Sequence, residues 1–341
     1  MTTTERKRDA GFRLTVLNPG GGDPAQDFSL GWPGPGDHSH APVNFHAYAA
    51  CTGGSFERDV KAALAKERPV LLLLRGDFRE SQRALRELKR HGLTVAISFK
   101  ETGLHQIAKQ LSDGRRAARF QEIVKEADGC LAATPTALTF YGRGEFIPTP
   151  YPLADKRWDF SRSLGERTGI FVGTREWNVP SRHHLAALLI ATRLGEPVTV
   201  FDTQPRKCRK LLAALGRSTQ SLRILDKRLS YRDYLVEISR HRIVFQADRS
   251  AVPGQVAGDA LLCRLPCVGG DGAIDRLGFP TICGFGRSLG ELTGLAAILL
   301  RDSEFYAATV AASQELAQER LGYPAVSRQL ARFFDDLSKA A

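Results

Sequence analysis

Residues 243–272, IVFQADRSAVPGQVAGDALLCRLPCVGGDG, gather residue types suited to an anionic, hydroxyl-rich ligand. A β-branched and aromatic run opens the stretch and reads as a buried strand. A loop with Pro253 and Gly254 follows, then a small-residue helix opening over 255–259. A second apolar run, Cys267 and Val268, ends in Gly269, Gly270, Asp271 and Gly272. Glycine lets backbone N–H groups approach phosphate, and a helix N-terminus adds partial positive charge. A carboxylate at Asp259 is placed to accept hydrogen bonds from ribose hydroxyls. The alternative is an α/β turn that is merely rich in glycine.

The rest of the chain must position that stretch. Strands read at 12–17, 69–74, 93–99, 130–133, 169–172, 198–201, 222–225, 243–245, 267–268 and 281–282. Helices read at 56–66, 79–91, 104–111, 116–127, 182–194, 206–215, 231–239, 256–263, 289–300, 303–320 and 325–339. Residues 18–54 are rich in Gly, Pro and His and read as a loop too broken for a helix. Strands alternating with helices argue parallel, doubly wound sheets. The passage PYPLADKRWDFSRSLGERT, 150–168, interrupts the alternation and marks a boundary. The expectation is an α/β chain with two Rossmann-like, doubly wound domains, 1–155 and 156–310. Closing helices over 311–341 are free to cross back to the first domain.

Ligands in such sheets bind beyond the carboxyl ends of the strands. Among others, that rule selects Gly20, Gly21 and Gly22 after the first strand, and Gly173, Arg175 and residues 247–254 and 269–272 in the second half. A guanidinium beside glycine suits bidentate binding of a diphosphate, although an ordinary surface arginine fits as well. Lys100 and Glu101 also read as a structural ion pair. His38, His40 and His46 have spacing compatible with metal, but a His-rich Gly/Pro loop is more often solvated or in contact with substrate. His46 and His105 are candidates to touch a transferred group from the first domain. No metal site is expected.

At 341 residues with a net charge of +11, the chain is a globular protein with a preference for anionic partners. Its arginines are spread out and not interleaved with aromatics, so nucleic acid is not expected as a partner. No apolar run reaches the about 18–20 residues that span a bilayer, and the N-terminus has no apolar core of an export signal. A cytoplasmic location is the expectation, with peripheral membrane contact compatible with the charge. The six cysteines form no CxxC pair and read as free thiols.

The second half resembles the donor domain of GT-B glycosyltransferases, in particular the retaining family 4 (group 1) related to glycogen and sucrose synthases. The residues that carry the likeness are FVGTR (171–175), YRDYLVEISRHRIVF (231–245) and GQVAGDALLCRLPCVGGDG (254–272). In the first half, CLAATPTALTFYGRGEFIPTPYPL (130–153) resembles the crossing into that domain. The resemblance implies two Rossmann-like domains facing each other across a cleft. It implies transfer of a sugar from a nucleotide-diphosphate sugar to a glycan, lipid-linked or protein acceptor, with retention rather than inversion. No cofactor is required, and the donor is a substrate. It places the ribose-binding acid at Asp259 and the diphosphate arginine at Arg175. Arg182 is the nearest cation to the family's lysine. Gly254 falls in the turn near sugar and phosphates, and Gly20, Gly21 and Gly22 in the loop adjoining the acceptor. The family's preceding acid, eight positions before Asp259, falls on Ala251.

Rival classes remain open at this level. A dinucleotide-binding dehydrogenase needs G-x-G-x-x-G after the first strand, which NPGGGDPAQ does not supply. A non-hydrolysing sugar-nucleotide epimerase shares the two-domain architecture. A nucleotide-sugar-binding protein without turnover is compatible with Ala251.

Overall fold

The computed structural model describes residues 11–174, 176–202 and 204–340. Arg175 lies outside them. Two sheets carry the chain. The first contains β1 (Thr15–Leu17), β2 (Gln26–Asp27), β3 (Ser55–Glu57), β4 (Val70–Leu74), β5 (Val95–Phe99), β6 (Gly129–Ala132) and β7 (Glu145–Phe146). Its order is β2-β3-β1-β4-β5-β6-β7, parallel except where β2 meets β3. The second contains β8 (Ile170–Val172), β9 (Val198–Phe201), β10 (Leu222–Leu225), β11 (Ile243–Phe245) and β12 (Cys267–Val268). Its order is β10-β9-β8-β11-β12, parallel throughout. Sequence order reverses between β8 and β11, and a ligand crevice opens at such a switch.

Helices of the first part are α1 (Phe45–Cys51), α2 (Val60–Leu64), α3 (Arg79–Arg90), α4 (Leu104–Leu111), α5 (Gly114–Glu126) and α6 (Leu138–Tyr141). Those of the second are α7 (His184–Ala191), α8 (Pro205–Ala214), α9 (Tyr231–Ile238), α10 (Gln255–Leu262), α11 (Ala273–Gly278), α12 (Leu289–Arg301), α13 (Ser303–Leu321) and α14 (Tyr323–Ala340).

The strand VLLLL of β4 is buried on both faces, as a central parallel strand must be. Val70, Leu72 and Leu74 pack with Leu85, Leu88, Phe120 and Ile123 of α3 and α5. Leu71 and Leu73 pack on the opposite side with Tyr48 of α1 and with Val326, Leu330 and Phe334 of α14. The last helix therefore covers the first sheet, not the second. Tyr323 at its start donates to the Pro42 carbonyl at 2.7 Å. Two tryptophans tie the boundary passage down. Trp32 Nε1 donates to Asp155 at 2.9 Å, and Trp158 Nε1 to the Pro33 carbonyl at 3.2 Å.

Three sequence expectations change. The stretch read as unbroken loop holds α1. Its FHAYAAC is buried almost throughout, so no amphipathic period betrays it. Residues 56–66 are not one helix: Phe56 pairs with Val16 in the sheet, and α2 begins only after Asp59, whose carboxylate accepts from the N–H groups of Lys61 and Ala62. Thr281 and Ile282 form a turn instead of a strand, and α11 precedes them. The Ile282 carbonyl still accepts from Gly269 N–H at 3.1 Å, and the Ile282 side chain is buried in the core, which accounts for its apolar character without a strand.

Candidate functional site

A cleft of about 490 Å³ lies at the carboxyl ends of β8 and β11. The first part of the chain supplies Asn44, Thr102, Gly103 and Gln106 to its wall. The second supplies Gly173, Arg182, Arg228, Tyr231, Asp248, Gly254, Asp259 and Asp275 among others. Leu104 N–H meets the Ser250 carbonyl at 3.4 Å across the gap.

Helix α10 opens into the cleft. Its cap, Gly254, has φ 92°, and a Cβ there would lie 2.7 Å from Asp275 Oδ2, so glycine is required twice over. Gly173 ends β8 directly against α10, where a Cβ would come within 2.5 Å of Val256 Cγ1. Among the described residues the N–H groups of Gln255 and Val256 have no backbone partner, and Gly173 at the end of β8 lies against Val256 at the switch point.

Asp259 sits one turn into α10 and is 1 % exposed. The Tyr231 hydroxyl donates to its Oδ1. Burial pushes its carboxyl up to about 7, with the tyrosine hydrogen bond opposing. Asp275 is equally buried and is pushed up to about 8, by burial and by the charge of Asp248. Gln246 Nε2 donates to its Oδ1 at 2.9 Å and Gly272 N–H to its Oδ2 at 3.2 Å. Asp248 accepts from Ser250 N–H at 2.8 Å and pairs with Arg182 at 3.2 Å. Arg182 also pairs with Glu176 at 2.8 Å. Its guanidinium is thus held between two carboxylates.

The structure gathers Gly173, Arg182, Gly254 and Asp259 around one cleft. Gly269 and Gly270 stand behind it. A Cβ on Gly269 would meet the Gln246 carbonyl at 2.1 Å, and one on Gly270 would meet Asp275 Oδ1 at 2.0 Å. Bareness at Gly270 lets the Gln246–Asp275 hydrogen bond form, and bareness at Gly269 admits the Gln246 carbonyl; neither residue lines the cleft. Gly20, Gly21 and Gly22 follow β1 in the other sheet and are not in the wall either. A Cβ on Gly20 would strike the Glu80 carboxylate, and one on Gly21 the Asn18 amide.

His46 is 3 % exposed and stacks on Phe56 with centroids 3.7 Å apart. Its Nε2 lies 2.9 Å from the Pro24 carbonyl, and burial pushes its pKa down to about 4. A neutral ring in that setting packs β3 against α1. His105 is exposed on α4 beside Gly103, outside the wall of the cleft. Lys100 and Glu101 do not pair: Lys100 reaches Asp23 at 2.7 Å, and Glu101 accepts from Gln110 at 3.0 Å. His40 and His46 are ring-stacked at 4.2 Å, and among the described residues no three His, Cys, Asp or Glu side chains are grouped to hold a metal.

Sequence reasoning missed Asn44, Tyr231 and Asp275, whereas Asp248 lies in 247–254, the loop after β11 that the strand-end rule selects. Only Asp275 left a signal, as the acid three residues after Gly272 at a helix start.

Solved structures share this fold over almost the whole chain. A sucrose-phosphate synthase from Thermosynechococcus elongatus superposes with a TM-score of 0.64 at 13% identity, covering 97% of this chain and 100% of its own. HepE from Anabaena, solved with UDP-glucose, gives 0.60 at 11% identity, covering 95% and 99%. A glycosyltransferase from Rickettsia africae gives 0.55 at 7% identity, covering 97% and 100%. The fold is GT-B. No protein-family model matches the sequence, and no curated protein is similar to it in sequence. Likeness at these identities establishes the GT-B architecture alone. Among the described residues no helix of this GT-B chain is long and apolar enough to cross a membrane.

Proposed function

We propose that the chain is a glycosyltransferase that takes a nucleotide-diphosphate sugar in the cleft and passes the sugar to a glycan, lipid-linked or protein acceptor. One observation carries this reading: the open N-terminus of α10, capped by Gly254, and the buried carboxyl of Asp259 meet at the switch point of the second sheet, facing Asn44 and Gly103 of the first lobe. The helix terminus and Gly173 would receive the diphosphate, and developing charge on the leaving group would be met by pre-oriented N–H groups. Arg175 is kept as a diphosphate cation on sequence grounds. Arg182 braces the same wall through Asp248, Gly270 supports it through Asp275, and Gly269 supports it through the backbone of Gln246. Asp259 would accept a ribose hydroxyl once the Tyr231 hydroxyl yields.

The resemblance to family 4 supports retention, no cofactor, and a division near residues 155 and 310. A cytoplasmic setting with peripheral membrane contact fits the charge of +11. A thermal-shift series with UDP, GDP, dTDP, CMP and NAD tests the donor reading. One nucleoside diphosphate should raise Tm, by an amount equivalent to about 2.7 kcal/mol at a hundredfold excess over Kd. A shift with NAD alone, or with none, would refute it.

A second reading, donor binding without turnover, is favoured by Ala251, where the resembled family has an acid. Release of free nucleoside diphosphate in the presence of acceptor separates the two.

A further inference from the structure

Asn44 joins the loop over 32–43 to α1 with φ 53° and ψ −131°. Two other non-glycine residues with positive φ, Phe78 at φ 66°, ψ 2° and His183 at φ 46°, ψ 37°, sit in or beside the left-handed helical well. Asn44 does not. Its pair of angles is one that glycine adopts freely and a side-chain-bearing residue adopts at a cost. The next residue, Phe45, is buried, whereas Asn44 is exposed and forms part of the cleft wall. Its side chain makes no capping hydrogen bond to α1, and among the described residues it has no other partner. The backbone strain therefore serves no internal contact of the amide.

The neighbouring groups are committed differently. Gln106 Oε1 already accepts from Gly103 N–H at 3.2 Å. Across the cleft, Gly254 and Asp259 face the same space. An amide offers two donors and one acceptor, a set that matches vicinal hydroxyls better than it matches a phosphate.

We propose that Asn44 is a specificity-determining residue that hydrogen-bonds a hydroxyl of the sugar carried by the nucleotide, reading the sugar from the first lobe while the second lobe holds the diphosphate. The proposal rests on the donor reading above.

The test is calorimetric titration of wild type, Asn44→Gly and Asn44→Ala with UDP, GDP and dTDP, and with UDP-glucose, GDP-mannose and dTDP-glucose. Glycine removes both amide and strain; alanine removes only the amide. Both variants should bind the nucleoside diphosphate as wild type does and bind its sugar conjugate about 3–10-fold more weakly, the loss of one neutral hydrogen bond. Asn44→Gly should also melt above Asn44→Ala, which shows that both fold and that the strain is real. Equal affinity of wild type and variants for the conjugate would overturn the proposal while the donor reading stands. Wild type binding none of these nucleotides would sink the donor reading and the proposal with it.

Discussion

The Tyr231 hydroxyl donates a hydrogen bond to Oδ1 of Asp259, joining the start of α9 to the second turn of α10 over a carboxyl group with almost no solvent contact. The bond favours the ionised form and partly offsets the burial that raises the carboxyl to about 7. Tyr231→Phe removes the donor and leaves the acid without a partner. The expected loss is about 1–3 kcal/mol in urea unfolding at pH 8. At pH 5 the carboxyl is already neutral in the fold, and the loss should be smaller. An equal loss at both pH values would show that the hydroxyl's contribution does not depend on ionisation of Asp259, and no loss at either would show that Tyr231 acts through its ring alone.

Asp275 gives stability a pH slope of its own. Its folded pKa, about 8, stands above the ordinary value of 3.8, so the fold holds a proton that the unfolded chain releases. Stability must then fall as pH rises from about 4 to about 8, by about 1.4 kcal/mol for each pH unit over which the fold keeps that proton and the unfolded chain does not. Asp259 contributes in the same direction up to about 7. Asp275→Asn should flatten the decline of Tm between pH 5 and pH 8.5 while keeping an acceptor for Gln246. A slope unchanged from wild type would mean that Asp275 titrates normally.

Gly258 lies inside α10, where alanine would ordinarily add about 1 kcal/mol of helix stability. Here the sign reverses. A Cβ at Gly258 would fall 2.0 Å from Cζ of Tyr151, a ring that is fully buried and has nowhere to retreat. Overpacking of this kind costs about 1–3 kcal/mol. Gly258→Ala should lower the urea midpoint by that margin, and the paired change Tyr151→Leu should recover part of it. A gain in stability for the single variant would show that the helix and the boundary passage are not in contact.

Most of the α/β alternation was legible because buried strands such as VLLLL and helices such as Arg79–Arg90 keep unmixed periods. The site was legible where a glycine or an acid had a local duty: Gly254 at a helix cap, Gly173 at a strand end. Tyr231 and Asp259 are 28 residues apart, and only packing brings them together. The same holds for Asp248 and Arg182. Helix α1 stayed hidden because it is apolar on every side, and the strain at Asn44 is a backbone property with no compositional mark. Gly269 and Gly270 misled for a physical reason: glycines that admit a close backbone carbonyl or a buried side-chain bridge look like glycines that admit a phosphate.

Arg182 decides whether the wall is braced or charged. It sits between Glu176 at 2.8 Å and Asp248 at 3.2 Å, so the three groups together carry one net negative charge. A trio of that sign does not by itself attract a diphosphate, which points to Arg182 as a strut for the loop that holds Asp248. Arg182→Gln leaves Asp248, 4 % exposed, without its cation, and should cost about 1–3 kcal/mol and weaken nucleoside diphosphate binding. Adding Asp248→Asn leaves the net charge of the trio at its original value and removes the buried unpaired acid. The double variant should therefore recover both stability and binding to within a few-fold of wild type. Recovery of stability without recovery of binding, in a denaturation series paired with calorimetry, would instead make Arg182 a direct ligand of the phosphates.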